Sequence, residues 1–236
     1  MFSRFGPSKK SAQRALQKGL QNGDLQPALQ IYTRLVEKNP NDCENLHDLG
    51  YVLLEMGRTE EAIGYFMQAN RIKEHTLHWN QLGRAYQCLQ NYSEALAAYK
   101  KAMQLDQKDP RPWYNTTLCL REMGQEERAI EELIKLLLTH PSHAGANNEL
   151  AIHYQKQGKI DLALRLFRTA LKTNPNYFPS HLNLIRLLCE IGQFSEARPH
   201  LEYIAKYGAY VNVVAQDGKL QIFVDGGLFF SGQYEE

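Results

Sequence analysis

Several common signals are missing from this chain, and each absence removes a class of function. Charge of one sign is not in excess: 27 Lys and Arg stand against 26 Asp and Glu over 236 residues, a formal net charge of +1. A dedicated nucleic-acid binder needs surplus cations to neutralise phosphates, so no nucleic-acid partner is expected. Long apolar runs are absent too. The stretch around residues 136–138, broken by Lys135, is only a few residues long, whereas a bilayer span needs about 20 predominantly apolar residues. Residues 1–20 lack the apolar stretch of a secretory signal. Cysteine is sparse: Cys43, Cys88, Cys119 and Cys189 stand far apart in the chain, with no C-x-x-C pair. That spacing suits neither a disulfide framework nor a zinc site, so four reduced thiols in a cytoplasmic protein are expected.

The motifs of catalysis are missing as well. There is no G-x-S-x-G, no Walker loop and no H-E-x-x-H. The pairs His75/His78 and His140/His143 fall in inter-repeat turns without a third ligand nearby, and read as loop histidines. Glu60/Glu61 and Glu126/Glu127 read as helix starts, where acidic residues suit the helix dipole. The expectation is a protein with no catalytic residues, no metal site and no cofactor.

What is present is self-similarity. Ala28, Ala62, Ala95, Ala129, Ala163 and Ala197 recur with a period of about 34 residues, the step from Ala62 to Ala95 being one shorter than the rest. Five residues before them stand Gly23, Gly57, Gln90, Gly124, Gly158 and Gly192; four residues after them stand Tyr32, Phe66, Tyr99, Leu133, Phe167 and Leu201. Each unit reads as two amphipathic helices joined by a tight turn. In the third unit Trp79, Leu82, Gly83 and Tyr86 form a W-x2-L-G-x2-Y helix, Gln90-Asn91-Tyr92-Ser93 the turn, and residues 94–103 the second helix. The glycines occupy a helix exit that favours positive φ. The alanines permit close helix crossing, and the residue one turn later fills the space beside them. Pro40, Pro141 and Pro175 stop second helices from running on.

This pattern resembles the tetratricopeptide repeat over residues 9–207. The match is strongest in the second unit (Leu49-Gly50, Ala62, Phe66, Ala69), the third, and the fifth (Leu150-Ala151, Tyr154, Ala163, Phe167, Ala170, Pro175). The first and fourth depart from it, with Ala15-Leu16 and Thr116-Thr117 where Leu-Gly is usual. The second lacks one residue between Asn70 and His78, which should perturb that junction. The resemblance implies an all-α, right-handed α-solenoid of six repeats, about 9–42, 43–75, 76–109, 110–143, 144–177 and 178–207. Stacking neighbours would build one continuous core without a linker.

Both ends differ from the repeats. The basic segment 1–8 leads into a first helix over about residues 9–22; positions 1–23 carry Arg4, Lys9, Lys10, Arg14 and Lys18 and no acid, with Phe2 and Phe5 flanking Arg4. A plain terminus, a peripheral membrane contact and a transit peptide are the readings, the last set aside because Ala15, Leu16 and Leu20 already belong to the first repeat. After Gly208, a helix stop, residues 208–236 turn β-like. Asp217-Gly218 between strand formers is a hairpin signal that pairs Ala215 with Leu220, Val213 with Ile222 and Val211 with Val224. A short β-hairpin extension is expected to cap the last helix pair near Leu201 and Ile204; a peptide-capturing or self-associating edge are the alternatives. Leu228-Phe229-Phe230 is a third strand or an apolar hook, and the final Gly-Gln-Tyr-Glu-Glu should fray. The stretch after Ile204 is expected to be too short for a fused catalytic domain.

In tetratricopeptide proteins the first helix of each repeat lines a concave groove. The resemblance implies groove positions at His47, Tyr51, Asn80, Arg84, Gln87, Arg111, Tyr114, Leu118, Arg121, Asn148, Ile152, Gln155, Lys156, Arg186 and Glu190. Arg supplies forked donors for carboxylates, Asn grips an extended backbone, and Tyr gives rigid contact area. A protein or peptide partner with acidic features is expected. The carboxylate clamp of chaperone-binding family members is incomplete: Asn80, Arg84 and Asn115 are in place, but Gly145 and Glu149 stand where its last basic pair belongs. The expected function is a non-enzymatic adaptor or scaffold. A self-assembling structural protein, or a homo-oligomer, and a membrane-proximal assembly factor are the alternatives.

Overall fold

A computed structural model describes residues 8–207, 211–216, 219–225 and 227–233. The described residues form twelve α-helices followed by three β-strands, and they divide into two compact units, Met1–Glu132 and Leu133–Glu236. The first unit holds α1 (Lys9–Asn22), α2 (Gln26–Lys38), α3 (Cys43–Glu55) and α4 (Thr59–Ile72). It continues with α5 (Thr76–Cys88), α6 (Tyr92–Leu105) and α7 (Pro110–Glu122). The division falls within α8 (Glu126–Thr139). The second unit holds α9 (Ala144–Lys156), α10 (Ile160–Thr173), α11 (Phe178–Glu190) and α12 (Phe194–Lys206). Its strands are β1 (Val211–Gln216), β2 (Lys219–Val224) and β3 (Gly227–Gln233). The fold is the all-α repeat class with a small C-terminal sheet.

Two kinds of turn alternate, and the backbone chemistry of each explains its residues. Within a repeat, Gly57, Gly124, Gly158 and Gly192 adopt φ of 72–77°, and Gln90 follows them at 59°. The residue after each donates back to the carbonyl five before it, as in Arg58 N to Leu53 O and Asn91 N to Tyr86 O, both 2.9 Å. This satisfies the open carbonyls of a helix end and requires the left-handed conformation. The one residue makes the reversal, so Tyr92 and Ser93, expected in the turn, are already in α6. Between repeats the chain makes a short turn, as in Asp42 N to Asn39 O and His143 N to His140 O, and an extended residue at its end caps the helix that follows with its side chain. Asp42, His75, Asp109 and His143 accept from the backbone N–H groups of α3, α5, α7 and α9. Histidines 75 and 143 are therefore helix caps, and His78 lies buried inside α5 rather than in a loop.

Packing follows the periodicity. The six spaced alanines are 0–1% exposed, and Tyr32, Phe66, Tyr99, Leu133 and Phe167 are fully buried. Complementary volumes set the helix spacing. A Cβ at Gly50 would come within 2.9 Å of the Phe66 ring, and one at Gly83 would fall on the Tyr99 ring. The missing residue of the second repeat is removed from the inter-repeat turn: α4 and α5 are joined by residues 73–75, whereas residues 39–42 join α2 to α3 and residues 106–109 join α6 to α7.

The strands form one antiparallel sheet of order β1-β2-β3. Ala215 pairs with Leu220, Val213 with Ile222 and Val211 with Val224, as a turn at Asp217-Gly218 requires. Leu228, Phe229 and Phe230 lie in β3, and Gly232 and Gln233, expected to fray, pair with Leu220 and Lys219. Ile222 is fully buried; Val224, Phe229 and Phe230 pack partly buried in one cluster with Ile204 and Leu201. The expectations for residues 1–7, Gly208, Asp217-Gly218 and the last three residues lie outside the described residues.

Candidate functional site

The first helices of the first unit bring together a cluster of the expected groove residues. Arg84, Gln87 and Leu118, with Asn115, Gln90 and Glu122, line a groove of about 440 Å³. Arg84 Nη1 donates to Gln81 Oε1 at 2.8 Å, and its Nη2 lies 3.5 Å from Glu55. Gln87 Nε2 donates to Glu122 Oε1 at 2.9 Å while its Oε1 accepts from the buried Tyr99 hydroxyl at 2.8 Å. Tyr51 is half-buried; burial and the neighbouring Glu55 raise its phenol above the ordinary value.

Inter-repeat bonds recur with one spacing. Asn115 donates to Asn80 at 2.9 Å and Gln87 to Glu122 at 2.9 Å, each across 35 residues. In the second unit Asn183 donates to Asn148 at 3.1 Å and Gln155 to Glu190 at 2.9 Å, with the same separation. Each unit thus carries the same two amide rungs between adjacent first helices. Their signal in the sequence is a recurrence two repeats apart: Asn80 and Asn148, Gln87 and Gln155, Asn115 and Asn183, Glu122 and Glu190.

The structure separates the remaining expected residues by role. His47, Asn80 and Asn148 are 7%, 4% and 1% exposed, so they hold first helices together rather than face solvent. Asn148 accepts from Ser180 Oγ at 3.0 Å as well as from Asn183. His47 lies against His78 with ring centroids 5.0 Å apart and the rings tilted by 31°, and its burial pushes the imidazole down to about 3. Arg111 is exposed but returns to its own helix cap, donating to Asp109 at 2.7 and 2.9 Å, which raises its already high pKa. Arg186 lies over the Phe229 ring at 4.9 Å, drawn to β3. Tyr114, Arg121, Ile152 and Gln155 are half-buried, and Lys156 is exposed at the end of α9. The acids Glu55 and Glu122 temper the cationic character read from the sequence.

Among the described residues no group of three or more His, Cys, Asp or Glu could hold a metal ion, and no helix is long and apolar enough to cross a membrane. Cys119 and Cys189 are buried, and burial pushes both thiols up to about 11; at neutral pH they are protonated and poorly nucleophilic.

The chain is similar to several known proteins. The family model described as the Cilia and flagella-associated protein 70 C-terminal domain matches residues 8–216. A Caenorhabditis elegans tetratricopeptide repeat-containing protein, trd-1, is 24% identical over 179 residues, covering 75% of this chain and 22% of that protein. Hsp70-Hsp90 organizing protein 3 of Arabidopsis thaliana is 22% identical over 214 residues, covering 85% of this chain and 37% of that protein. The chain thus spans well under half the length of these relatives. Among solved structures, Pseudomonas aeruginosa pilF superimposes with a TM-score of 0.65 at 18% identity, covering 84% of this chain and 92% of that one.

Proposed function

Because the chain belongs to the family of the cilia and flagella-associated protein 70 C-terminal domain and is built of tetratricopeptide repeats, we propose that it is a non-enzymatic scaffold holding a partner segment in the groove beside Arg84 and Gln87. The observation that carries this reading is the groove itself. Its polar walls are pre-bonded through the rungs Asn80–Asn115 and Gln87–Glu122, so little side-chain freedom is lost when a ligand arrives. Arg84 favours a partner with a carboxylate, since its contact with Glu55 is long and a ligand acid can compete for it. Tyr114, Leu118 and Arg121 extend the surface on α7. The relative named an Hsp70-Hsp90 organizing protein supports a protein-binding role. Chaperone tails are not the ligand proposed, because Gly145 and Glu149 replace the basic pair of the clamp. In this reading residues 9–207 are the cytoplasmic scaffold and the C-terminal sheet covers the end of the array.

The test is affinity capture from native extract, read by mass spectrometry, with wild type against Arg84→Glu/Arg121→Glu. Circular dichroism establishes that the variant is folded. A partner held by wild type and lost by the variant is the expected result; identical captures refute the groove.

A further inference from the structure

One polar residue interrupts an apolar series. Eight residues after each crossing alanine stand Val36, Asn70, Met103, Leu137, Leu171 and Ala205. Asn70 alone is polar, yet it is only 7% exposed, and among the described residues neither its Oδ1 nor its Nδ2 has a hydrogen-bond partner. Together with Met67, Trp79, Leu82, Tyr86 and Ala98 it lines a groove of about 870 Å³ among α4, α5 and α6. The Trp79 indole N–H, buried and unpaired as well, belongs to the same wall. The groove lies at the junction whose turn is one residue short. It uses the Trp79, Leu82 and Tyr86 face of α5, not the face that carries Asn80, Arg84 and Gln87. At its rim Arg71, Lys100 and Lys101 are exposed, and no ion pair engages them among the described residues; Glu74 and Glu94 are the only acids of the lining.

We propose that this groove is a second binding site, for an extended peptide segment that buries an apolar side chain, pairs a backbone amide with Asn70 and sets a carboxylate against Arg71, Lys100 and Lys101. Asn70 offers a donor and an acceptor side by side, and the rigid group that answers both is another amide. An acyl chain would leave both unpaired in an apolar wall, and a phosphate would supply acceptors only. The size and the mix of apolar wall with few polar groups are those of a ligand site. Three cations against two acids set the charge preference.

The full chain is used to select from a phage-displayed library of random nonapeptides, and enriched peptides are remade with fluorescein for anisotropy titration. Enriched sequences should share an apolar residue near an acidic one. Asn70→Leu, which installs the residue found in two other repeats, should weaken binding by about tenfold without lowering the melting temperature. Ala97→Trp, which fills the exposed wall on α6 without touching Asn70, should abolish binding, and Arg84→Glu should leave it unchanged. The proposal is overturned if no peptide is enriched, if enriched peptides bind both groove variants like wild type, or if Arg84→Glu alone removes binding. Displacement of the peptide by lauric acid at lower concentration would assign the groove to a lipid and overturn it too.

Discussion

Gln90 carries backbone strain that its five counterparts avoid. It adopts φ of 59° where Gly23, Gly57, Gly124, Gly158 and Gly192 adopt 72–78°. Its side chain is exposed, and a Cβ at any of those five glycines would meet nothing within 4 Å. The difference is therefore one of conformation, not of clash. Holding a non-glycine residue in the left-handed region costs about 1–2 kcal/mol. Against that, a glycine loosens the unfolded chain by about 0.4–1 kcal/mol. Gln90→Gly should stabilise the protein by about 0.5–1 kcal/mol, and Gly57→Ala should destabilise it by a similar amount. Urea denaturation followed by far-ultraviolet circular dichroism measures both, with equal slopes as the check that the unfolding reaction is unchanged. A neutral or destabilising Gln90→Gly, beside a destabilising Gly57→Ala, would refute the reasoning. It would mean that the Gln90 side chain makes contacts worth as much as the strain.

Other perturbations test packing, capping and protonation. Gly83→Ala places a methyl on the buried Tyr99 ring and should cost about 2 kcal/mol in chemical denaturation; adding Tyr99→Leu should recover part of it, as the bulkier Ile185 is matched by Leu201. Asp109→Ala removes the cap of α7 and the partner of Arg111, with an expected loss of about 1–2 kcal/mol in the same assay. Acid should also weaken the fold. His47 is held down to about 3, and His78, His143 and His200 are lowered too, burial being the first cause in each. The unfolded chain takes up these protons near pH 6.5 and the folded chain does not, so stability is full above that pH and declines below it, for His47 down to about pH 3. Between pH 7.5 and 5.5 His47 alone should remove about 1.4 kcal/mol. Unfolding free energies from urea denaturation at the two pH values should converge by that amount in His47→Leu; an unchanged gap would refute the assignment.

Much of this molecule is written in short-range pattern. An alanine once per repeat, in several repeats a small or glycine residue facing a large one, and a glycine at five of the six helix exits specify the helix pairs, because each rule concerns groups a few residues apart or one repeat away. The strand register was equally readable, since a two-residue turn leaves one pairing. Arg84, Gln87 and Leu118 could be named from their helix positions, and they meet in one groove. The exposure of each position was not readable, because it depends on the neighbouring helix rather than on the residue's own. His47, Asn80 and Asn148 share the first-helix face with Arg84, yet each meets a side chain from the first helix of the next repeat and is buried. Arg111 and Arg186 look like groove cations until Asp109 and Phe229 claim them. Asn70 is the one polar member of its series, and only the packing of α4 against α5 makes it a buried amide with no hydrogen-bond partner among the described residues. Local sequence sets which helices form and how they pair, whereas burial and bonding partners are properties of surfaces brought together from different repeats.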